Sequence, residues 1–456
     1  MRVLGRTSRS AGSQLSKLAA ATSLVESRYP LTENTFREYG IKEGLLPKHL
    51  TLSNVAPFNQ ANVYLESPLH FSMNDCGKVA KFDTEELNRY LPEGLCGELT
   101  KDMTMLPENQ PLGIVSRKTT MDLISQLSQY QASVSIAANG FLLDGKRGSG
   151  KSSILNHVVL WARQNGWLVI FEPDVSRYCR EIGEIKRSNA NIFIQSDFAA
   201  NLLARIKESN GELLKKIPLN SKIFGLTSLD GSNVRYARRA FDPLIQKIIA
   251  QDLEDFQGDI DLERLRLWHK YRNDFKLPSI KMHLQPNTLL DIAEFGASNP
   301  PLANQALYEL FEQLKQQTYY PLLIAIDKWN ECFPVSEYLS VKYQGTKYHG
   351  WIPGYNLSIP RLFCRWDGSS YRRGLKIVAT SWNRYKRRKF NPLLLGIRTN
   401  EIRTVRNFTP MEFGNYVANM HFNGTLHDFP PDKVPYYYMM SDGNGFEARR
   451  LLALLY

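Results

Sequence analysis

Apolar residues beyond residue 140 follow two alternating patterns. Short continuous apolar runs predict buried strands, and apolar residues at intervals of three and four predict helices. The predicted strands are residues 141–144, 167–171, 321–327, 376–380 and 402–405. The predicted helices include residues 151–166, 196–216 and 301–317. Alternation of this kind is typical of a parallel sheet covered by helices on both faces, so the sequence predicts an α/β fold with a parallel five-stranded sheet.

The first 115 residues follow neither pattern. Prolines recur at short intervals over residues 26–115, which predicts an extended N-terminal arm with short helices that lies across a partner. Residues 1–25 are rich in arginine and serine, contain no acidic residue and would form an amphipathic helix. Such a segment is typical of a mitochondrial targeting peptide, although a disordered basic tail or an RNA-binding arm would have the same composition.

A glycine-rich stretch connects the first predicted strand to the helix that follows it. It consists of Gly145, Lys146, Arg147, Gly148, Ser149, Gly150, Lys151 and Ser152, and is followed by Ser153. The stretch fits G-x-x-x-x-G-K-[ST], the phosphate-binding loop (P-loop), in which glycines let successive backbone N–H groups face phosphate oxygens. Lys151 can reach the terminal phosphates, and the hydroxyl of Ser152 can bind Mg²⁺. The alternative is an ordinary glycine-rich turn, but the flanking strand and helix favour nucleotide binding.

A carboxylate follows the third predicted strand. Asp327 ends an apolar run, at a position where an acid can hold Mg²⁺ through water. The alternative is a surface acid at a strand end. Ser381 and Asn383 follow the fourth predicted strand, where a terminal phosphate would lie.

The residues needed for binding are clearer than those needed for hydrolysis. The guanine-reading N-K-x-D motif is absent, and Asp327 is followed by Lys328 instead of the water-activating glutamate found in many ATPases. Glu331 lies four positions further on and is a poor substitute. The sequence therefore predicts a nucleotide-binding protein with at most weak GTPase or ATPase activity.

The net charge of the chain indicates that it binds a polyanionic partner. The 456-residue chain has a formal net charge of +12. The densest basic cluster comprises Arg384, Lys386, Arg387, Arg388 and Lys389. Cations next to aromatic residues suit RNA binding, and a solvated loop is the alternative. The five cysteines contain no C-x-x-C pair, which indicates a reducing compartment, and no apolar run is long enough to predict a membrane span.

Several segments resemble the family of the GTP-binding protein of the mitochondrial ribosome's small subunit, also called death-associated protein three, and its fungal members in particular. These segments are residues 114–118, 122–127, 145–152, 167–174, 322–327, 408–413 and 441–444. The resemblance implies a fold similar to AAA-type P-loop ATPases, with a small C-terminal helical part. It also implies a bound guanine nucleotide and a position in the head of the small subunit, near the intersubunit face.

Together these features predict four parts: a targeting segment (1–25), an arm (26–115), a P-loop domain (116–407) with insertions at 218–285 and 334–374, and a C-terminal helical part (408–456). The expected protein is a structural component of the mitochondrial small ribosomal subunit, in the matrix. Its expected partners are the small-subunit rRNA, neighbouring ribosomal proteins and, through an intersubunit bridge, the large subunit. Its expected cofactors are GTP or GDP, with ATP as the alternative, and Mg²⁺. The alternative function is a slow GTPase or ATPase that acts as a switch in ribosome assembly.

Overall fold

The computed structural model describes twelve stretches of the chain. They are residues 63–66, 73–107, 110–133, 140–187, 192–224, 253, 258–273, 286–333, 335–340, 350–382, 390–426 and 433–452. The predicted targeting segment, the basic cluster at 384–389 and most of the insertion at 218–285 lie outside the described residues. Within the described part, no helix has the length and apolar character that crossing a membrane requires.

Strands and helices alternate along the chain. The strands are β1 (Val79–Phe82), β2 (Leu112–Val115), β3 (Gly140–Asp144), β4 (Leu168–Glu172), β5 (Lys186–Arg187), β6 (Phe193–Ile194), β7 (Leu322–Ile326), β8 (Val335–Ser340), β9 (Gly350–Pro353), β10 (Gly374–Ala379) and β11 (Ile402–Thr404). The helices are α1 (Thr84–Tyr90), α2 (Leu99–Met105), α3 (Lys118–Ser133), α4 (Lys151–Gln164), α5 (Arg177–Arg180), α6 (Ser196–Leu214), α7 (Ile260–Asn273), α8 (Leu289–Ser298), α9 (Pro300–Gln316), α10 (Ser358–Phe363), α11 (Pro410–Phe422), α12 (Val434–Ser441) and α13 (Gly445–Leu452).

Five strands form the central sheet, in the order β11-β3-β10-β7-β4, and every neighbouring pair is parallel. The parallel five-stranded sheet predicted from the sequence is therefore confirmed. Residues of β4, β7 and β10 are buried along the whole strand, as expected for strands covered on both faces. Alternate side chains enter two separate cores. Ile324 packs into one core and Leu323 into the other.

Helices cover both faces of this sheet. On one face, α6, α8 and α9 bury Leu203, Ile292 and Leu307 against the strands. On the other face, α3 and α4 bury Leu127 and Leu155. The predicted arrangement of helices on both sides of the sheet is confirmed.

The segment predicted as an extended arm over residues 26–115 contains short helices as expected, but from Val79 onward it packs against the rest of the domain. Strand β1 pairs antiparallel with β2, and Phe82, Leu87 and Leu91 are buried in the same core as α4. The elements here are only four to seven residues long, too short to show a clear period. Their apolar residues are buried in one core with those of α4.

The C-terminal helical part has a small core of its own. Phe413, Val417 and Ala448 are among the residues that α11, α12 and α13 bury together. Helix α11 begins at a capping box, in which Thr409 Oγ1 accepts from the amide of Glu412 at 3.2 Å and the carboxylate of Glu412 accepts from the amide of Thr409 at 2.8 Å.

The segment predicted as an insertion at 334–374 contributes to both surface and core. Strands β8 and β9 form an antiparallel hairpin. Helix α10 and the residues after it bury Ile359, Phe363 and Trp366 in the main core, where Trp366 lies 5.8 Å from the ring of Trp329. This half of the segment therefore supports the sheet.

A buried ion pair attaches this segment to the central strand β10. Lys376 Nζ lies 2.6 Å from Asp367 Oδ1 and donates to the carbonyl of Arg365 at 2.8 Å. Burial raises the pKa of Asp367, but Lys376 and Arg365 outweigh it and hold that pKa below its usual value. Neither charge is hydrated, so each depends on the other.

We expect Asp367→Asn to lower the free energy of unfolding by about 3–5 kcal/mol, because it leaves the buried ammonium of Lys376 without its counter-ion. The control is Glu294→Gln, which breaks an exposed ion pair with Lys207 at 3.0 Å and should cost less than about 1 kcal/mol. Denaturant unfolding of both variants measures the difference. Equal effects would show that the buried pair adds no more stability than a surface pair.

Candidate functional site

A cleft lies at the carboxyl ends of the sheet strands, where loops of parallel α/β proteins bind ligands. The empty space between its walls, including open solvent at the mouth, is about 1070 Å³. Three parts of the chain line it. They are the loop and helix start after β3 (including Gly148, Gly150, Lys151, Ser152 and Ser153), the residues after β7 and β10 (Asp327, Lys328, Thr380, Ser381, Trp382), and segments from both ends of the described chain (including Gly97, Asp102, Arg117, Phe408, Phe446 and Arg449).

The glycine-rich loop has a conformation that requires glycine at two positions. Gly148 and Gly150 have φ angles of 77° and 90°, in the left-handed region that other residues rarely adopt. A Cβ atom on Gly148 would also lie 2.2 Å from Asn444 Oδ1 and 2.5 Å from Phe446 Cβ. The loop is therefore shaped both by its own glycines and by the C-terminal segment packed against it.

Three consecutive carbonyl groups of this loop accept hydrogen bonds from distant residues. The bonds are Asn444 Nδ2 to the carbonyl of Arg147 at 2.7 Å, the amide of Gly445 to the carbonyl of Gly148 at 3.0 Å, and Arg117 Nη1 to the carbonyl of Ser149 at 2.5 Å. In a planar trans peptide the C=O and N–H groups point in opposite directions. The N–H groups of the same peptide units point away from their own carbonyls, and that of Ser149 donates to the carbonyl of Lys146 at 3.3 Å. The start of α4 adds its positive end to the same region.

The ammonium group of Lys151 lies inside the loop. Lys151 Nζ donates to the carbonyls of Gly145 and Lys146 at 2.9 and 2.8 Å, and the residue is buried. The two other cations of the predicted site point elsewhere. Lys146 Nζ is exposed, 3.9 Å from Asp442 Oδ2, and Arg147 stacks over the ring of Phe446 at 4.2 Å. Lys146 and Arg147 therefore contribute backbone groups to the loop, while Lys151 contributes a charge.

Ser152 and Asp327, which are 175 positions apart in the chain, meet in the cleft. Ser152 Oγ donates to Asp327 Oδ2 at 2.8 Å, and Asp327 Oδ1 accepts from the amide of Lys328 at 2.8 Å. Burial raises the pKa of Asp327 to about 6, against the opposing hydrogen bond from Ser152. One carboxylate and one hydroxyl are ligands of the kind that Mg²⁺ uses when phosphates supply the rest. No group of three or more metal-binding side chains occurs among the described residues, so these two are the candidates there.

The other carboxylates near these strand ends are engaged by side chains of the fold. Glu172 accepts from Arg205 at 2.8 Å and from Tyr178 at 2.5 Å. Glu331, the substitute considered in the sequence, forms an ion pair with Arg180 at 2.6 Å. Because both glutamates are bonded to arginines, neither replaces the acid that is missing after Asp327.

The N-terminal segment covers the Ser152 side of the cleft. A Cβ atom on Gly97 would lie 2.5 Å from Ser152 Cβ. The backbone of Cys96 forms a reciprocal pair with Asn156 on α4, with bonds of 3.1 and 3.0 Å. Further along, Arg449 Nη1 lies 3.0 Å from Asp102 Oδ1. The N-terminal segment is thereby joined both to α4 and to the C-terminal helix α13.

Sequence reasoning missed Arg117, Asn444 and Gly97 as parts of the site. Arg117 is buried and also donates to the carbonyl of Asn407 at 2.9 Å and to Glu412 Oε2 at 3.3 Å. The family resemblance at 114–118 and 441–444 was the available signal, because both segments contact the loop. It does not identify a role without the structure.

Of the two residues expected beside a terminal phosphate, Ser381 and Asn383, the structure describes only Ser381. Ser381 lines the cleft, and its backbone exchanges two hydrogen bonds of 2.7 Å with the side chain of Asn330. Asn383 and the basic cluster lie outside the described residues. Trp382 and Phe390, which flank that cluster, lie 6.0 Å apart between ring centroids. The two residues that flank the cluster therefore lie close together, and Trp382 lines the cleft.

We expect Asp327→Asn to raise the free energy of unfolding by about 3 kcal/mol at pH 7 in the presence of EDTA. The reason is that a carboxyl whose pKa rises from 3.8 to about 6 on folding destabilises the fold when ionised, by about 1.4 kcal/mol per unit. The gain should shrink as pH falls from 6 to 4, where the wild-type carboxyl becomes protonated in both states. Denaturant unfolding across this pH range tests it. A gain that is independent of pH would show that burial of charge is not the cause.

Comparison with known families identifies the chain. A family model described as mitochondrial ribosomal death-associated protein 3 matches residues 114–390, which is more than half of the 456 residues. The matched region runs from β2 to the end of the basic loop and contains the glycine-rich loop and Asp327. The predicted location in the mitochondrial small ribosomal subunit is confirmed by this match, while fungal origin stays a prediction. The chain belongs to the mitochondrial ribosomal death-associated protein 3 family.

Proposed function

We propose that this ribosomal protein binds a purine nucleotide with Mg²⁺ in the cleft and uses it chiefly as a structural element of the small subunit. One observation carries the proposal. The cleft is lined by the loop and the first residues of α4, Gly148 and Gly150–Ser152, where the positive end of the helix and the ammonium of Lys151 favour an anion. This supports a phosphate-binding P-loop of the kind that the sequence predicted.

Each residue of the site has a distinct proposed role. The backbone of Gly145–Ser153 surrounds the phosphates, and Lys151 supplies a charge to the terminal ones. Ser152 and Asp327 would hold Mg²⁺, with Asp327 acting through water. When bound, the metal would neutralise phosphate charge. The geometry that supports these roles is the 2.8 Å contact between Ser152 Oγ and Asp327 Oδ2.

A bound nucleotide would join parts of the protein that are far apart in sequence. The loop already contacts Arg117 and Asn444, and the cleft is also lined by Gly97 and Phe446. A ligand held between them would oppose their separation, because binding to the folded state adds to its stability. This is the sense in which the nucleotide is structural.

Catalytic turnover is the second candidate function and has less support. The acidic residues among the described cleft lining are Glu98, Asp102 and Asp327. Asp102 is paired with Arg449 at 3.0 Å and Glu98 with Lys101 at 2.9 Å, and Asp327 faces Ser152. A group that could orient an attacking water is therefore not evident among them, which favours at most slow GTP or ATP hydrolysis. The preference for guanine over adenine rests on the family resemblance.

Contact with rRNA is proposed from charge. The chain carries +12, and Arg384, Lys386, Arg387, Arg388 and Lys389 follow β10 at the end of the sheet where loops gather. Basic residues release counterions from RNA phosphates, which makes such contacts sensitive to salt. Neighbouring ribosomal proteins and a bridge to the large subunit complete the proposed partners.

Lys151→Ala should weaken nucleotide binding by about 100-fold, because it removes the charge nearest the terminal phosphates. Lys146→Ala is the matched control, since Lys146 is a neighbouring exposed lysine whose ammonium points out of the loop. Calorimetric titration of the purified protein with GTP, GDP, ATP and ADP measures binding and gives the base preference. Wild-type affinity in Lys151→Ala would refute the site.

Replacing Lys386, Arg387, Arg388 and Lys389 by serine should weaken association with the small subunit and flatten its dependence on salt, while nucleotide binding stays nearly intact. A charge-matched control replaces four exposed lysines near α6 (Lys207, Lys215, Lys216, Lys222). Sedimentation with the small subunit at increasing salt compares the two. If both quadruple variants behave alike, net charge and not this loop accounts for the association.

A further inference from the structure

Lys328, directly after the proposed magnesium-binding aspartate, has an unusual backbone. Its φ and ψ angles are 57° and 30°, and only Asp442 shares a positive φ among the described non-glycine residues. This left-handed conformation costs a lysine roughly 1 kcal/mol. Hydrogen bonds on both sides hold it, from its amide to Asp327 Oδ1 and from the amide of Glu331 to its carbonyl, both at 2.8 Å. Strain of this kind persists where the surroundings fix it, often at functional sites.

Lys328 is one of the residues that line the cleft. Its ammonium forms an ion pair with Asp174, which follows the neighbouring strand β4. The pair is not sealed in the core, because 22% of the Lys328 side chain and 39% of the Asp174 side chain are exposed. The ammonium can therefore leave Asp174 for a stronger anion without crossing a packed interior.

The position of Lys328 relative to the loop indicates which anion this would be. Lys151 and Ser152 lie at the loop, and Asp327 faces Ser152 across the cleft. Lys328 follows Asp327 directly and lines the same cleft, together with Ser381, which follows the adjacent strand β10. A phosphate chain that enters the loop would reach this region only with its last group, since the loop itself surrounds the preceding phosphates.

We propose that Lys328 leaves Asp174 to bind the terminal phosphate of a nucleoside triphosphate, and so makes the cleft selective for triphosphates over diphosphates. This inference rests on the proposed nucleotide-binding function and adds a specificity residue to it. Lys328 stands where a water-activating glutamate would follow the aspartate. An ammonium group stabilises the phosphate charge and cannot accept a proton from water. The site would therefore retain the triphosphate and not hydrolyse it.

The first test compares di- and triphosphate binding to Lys328→Gly. Glycine suits a φ of 57°, so this variant keeps the turn and removes only the side chain. We expect affinity for the non-hydrolysable analogue of GTP to fall about 10- to 100-fold, as for loss of a charged hydrogen bond, and affinity for GDP to change less than about 2-fold. The adenine pair is titrated in parallel. Lys328→Arg, which keeps a cation, should preserve most of the preference.

The second test uses Asp174→Asn, which should act in the opposite direction. Asparagine can still accept the hydrogen bond from the amide of Ser176, which is 3.0 Å long in the wild type, but no longer competes as a charge for Lys328. Triphosphate affinity should rise several-fold. The rise should largely disappear when Asp174→Asn is combined with Lys328→Gly, because the two residues act as a pair.

The outcomes separate the two proposals. If the wild-type protein binds neither GTP nor ATP analogues nor their diphosphates, the proposed function fails. If it binds them and Lys328→Gly weakens di- and triphosphates equally, or neither, the function stands and the role of Lys328 is refuted. An Asp174→Asn gain that persists without Lys328 would also refute it, since it would show only the removal of a repulsive charge.

Discussion

Some backbone carbonyl groups in the glycine-rich loop take their hydrogen-bond partners from outside the loop. An unbonded buried carbonyl costs as much as a lost hydrogen bond. Here the partners of three successive carbonyls come from Arg117 and from the segment that contains Asn444. Arg117 is buried, and its charge is balanced by Glu412, the same residue that caps α11. The loop, the start of α3 and the C-terminal helices therefore depend on one network of hydrogen bonds.

This network explains why the C-terminal helical part is integrated with the sheet domain although it has a separate core. Asn444 and Phe446 occupy the space where a side chain on Gly148 would otherwise lie, and Arg449 reaches Asp102 on the opposite wall. Both walls of the cleft are thus formed by residues distant from the loop in sequence. A ligand that filled the cleft would contact all three parts at once, and its binding would then be coupled to their relative position.

Both burial and ion pairing affect the charged residues at the carboxyl end of β7. Asp327 is buried at the sheet end with a raised pKa, an unfavourable arrangement that a cation would relieve. Lys328 and Asp174 compensate each other nearby in a partly hydrated pair. The lysine after Asp327 and the pairing of Glu172 and Glu331 with arginines leave the site better equipped to hold an anion than to activate water.

The sequence alone determined the five strands of the central sheet and the glycine-rich loop, and it selected Lys151 and Asp327 as candidates. Those features depend on local patterns: continuous apolar runs, glycines that permit left-handed angles, and a charge at a strand end. It did not predict that the segment from Val79 packs against α4, because elements of four to seven residues show no clear period. Only the tertiary structure decided that Ser152 meets Asp327 and that Arg117 and Asn444 bond to the loop. Ser152 and Asp327 are 175 positions apart in the sequence, and Arg147 and Asn444 are 297 positions apart. Hydrogen bonds between residues so far apart leave no periodic pattern in the sequence.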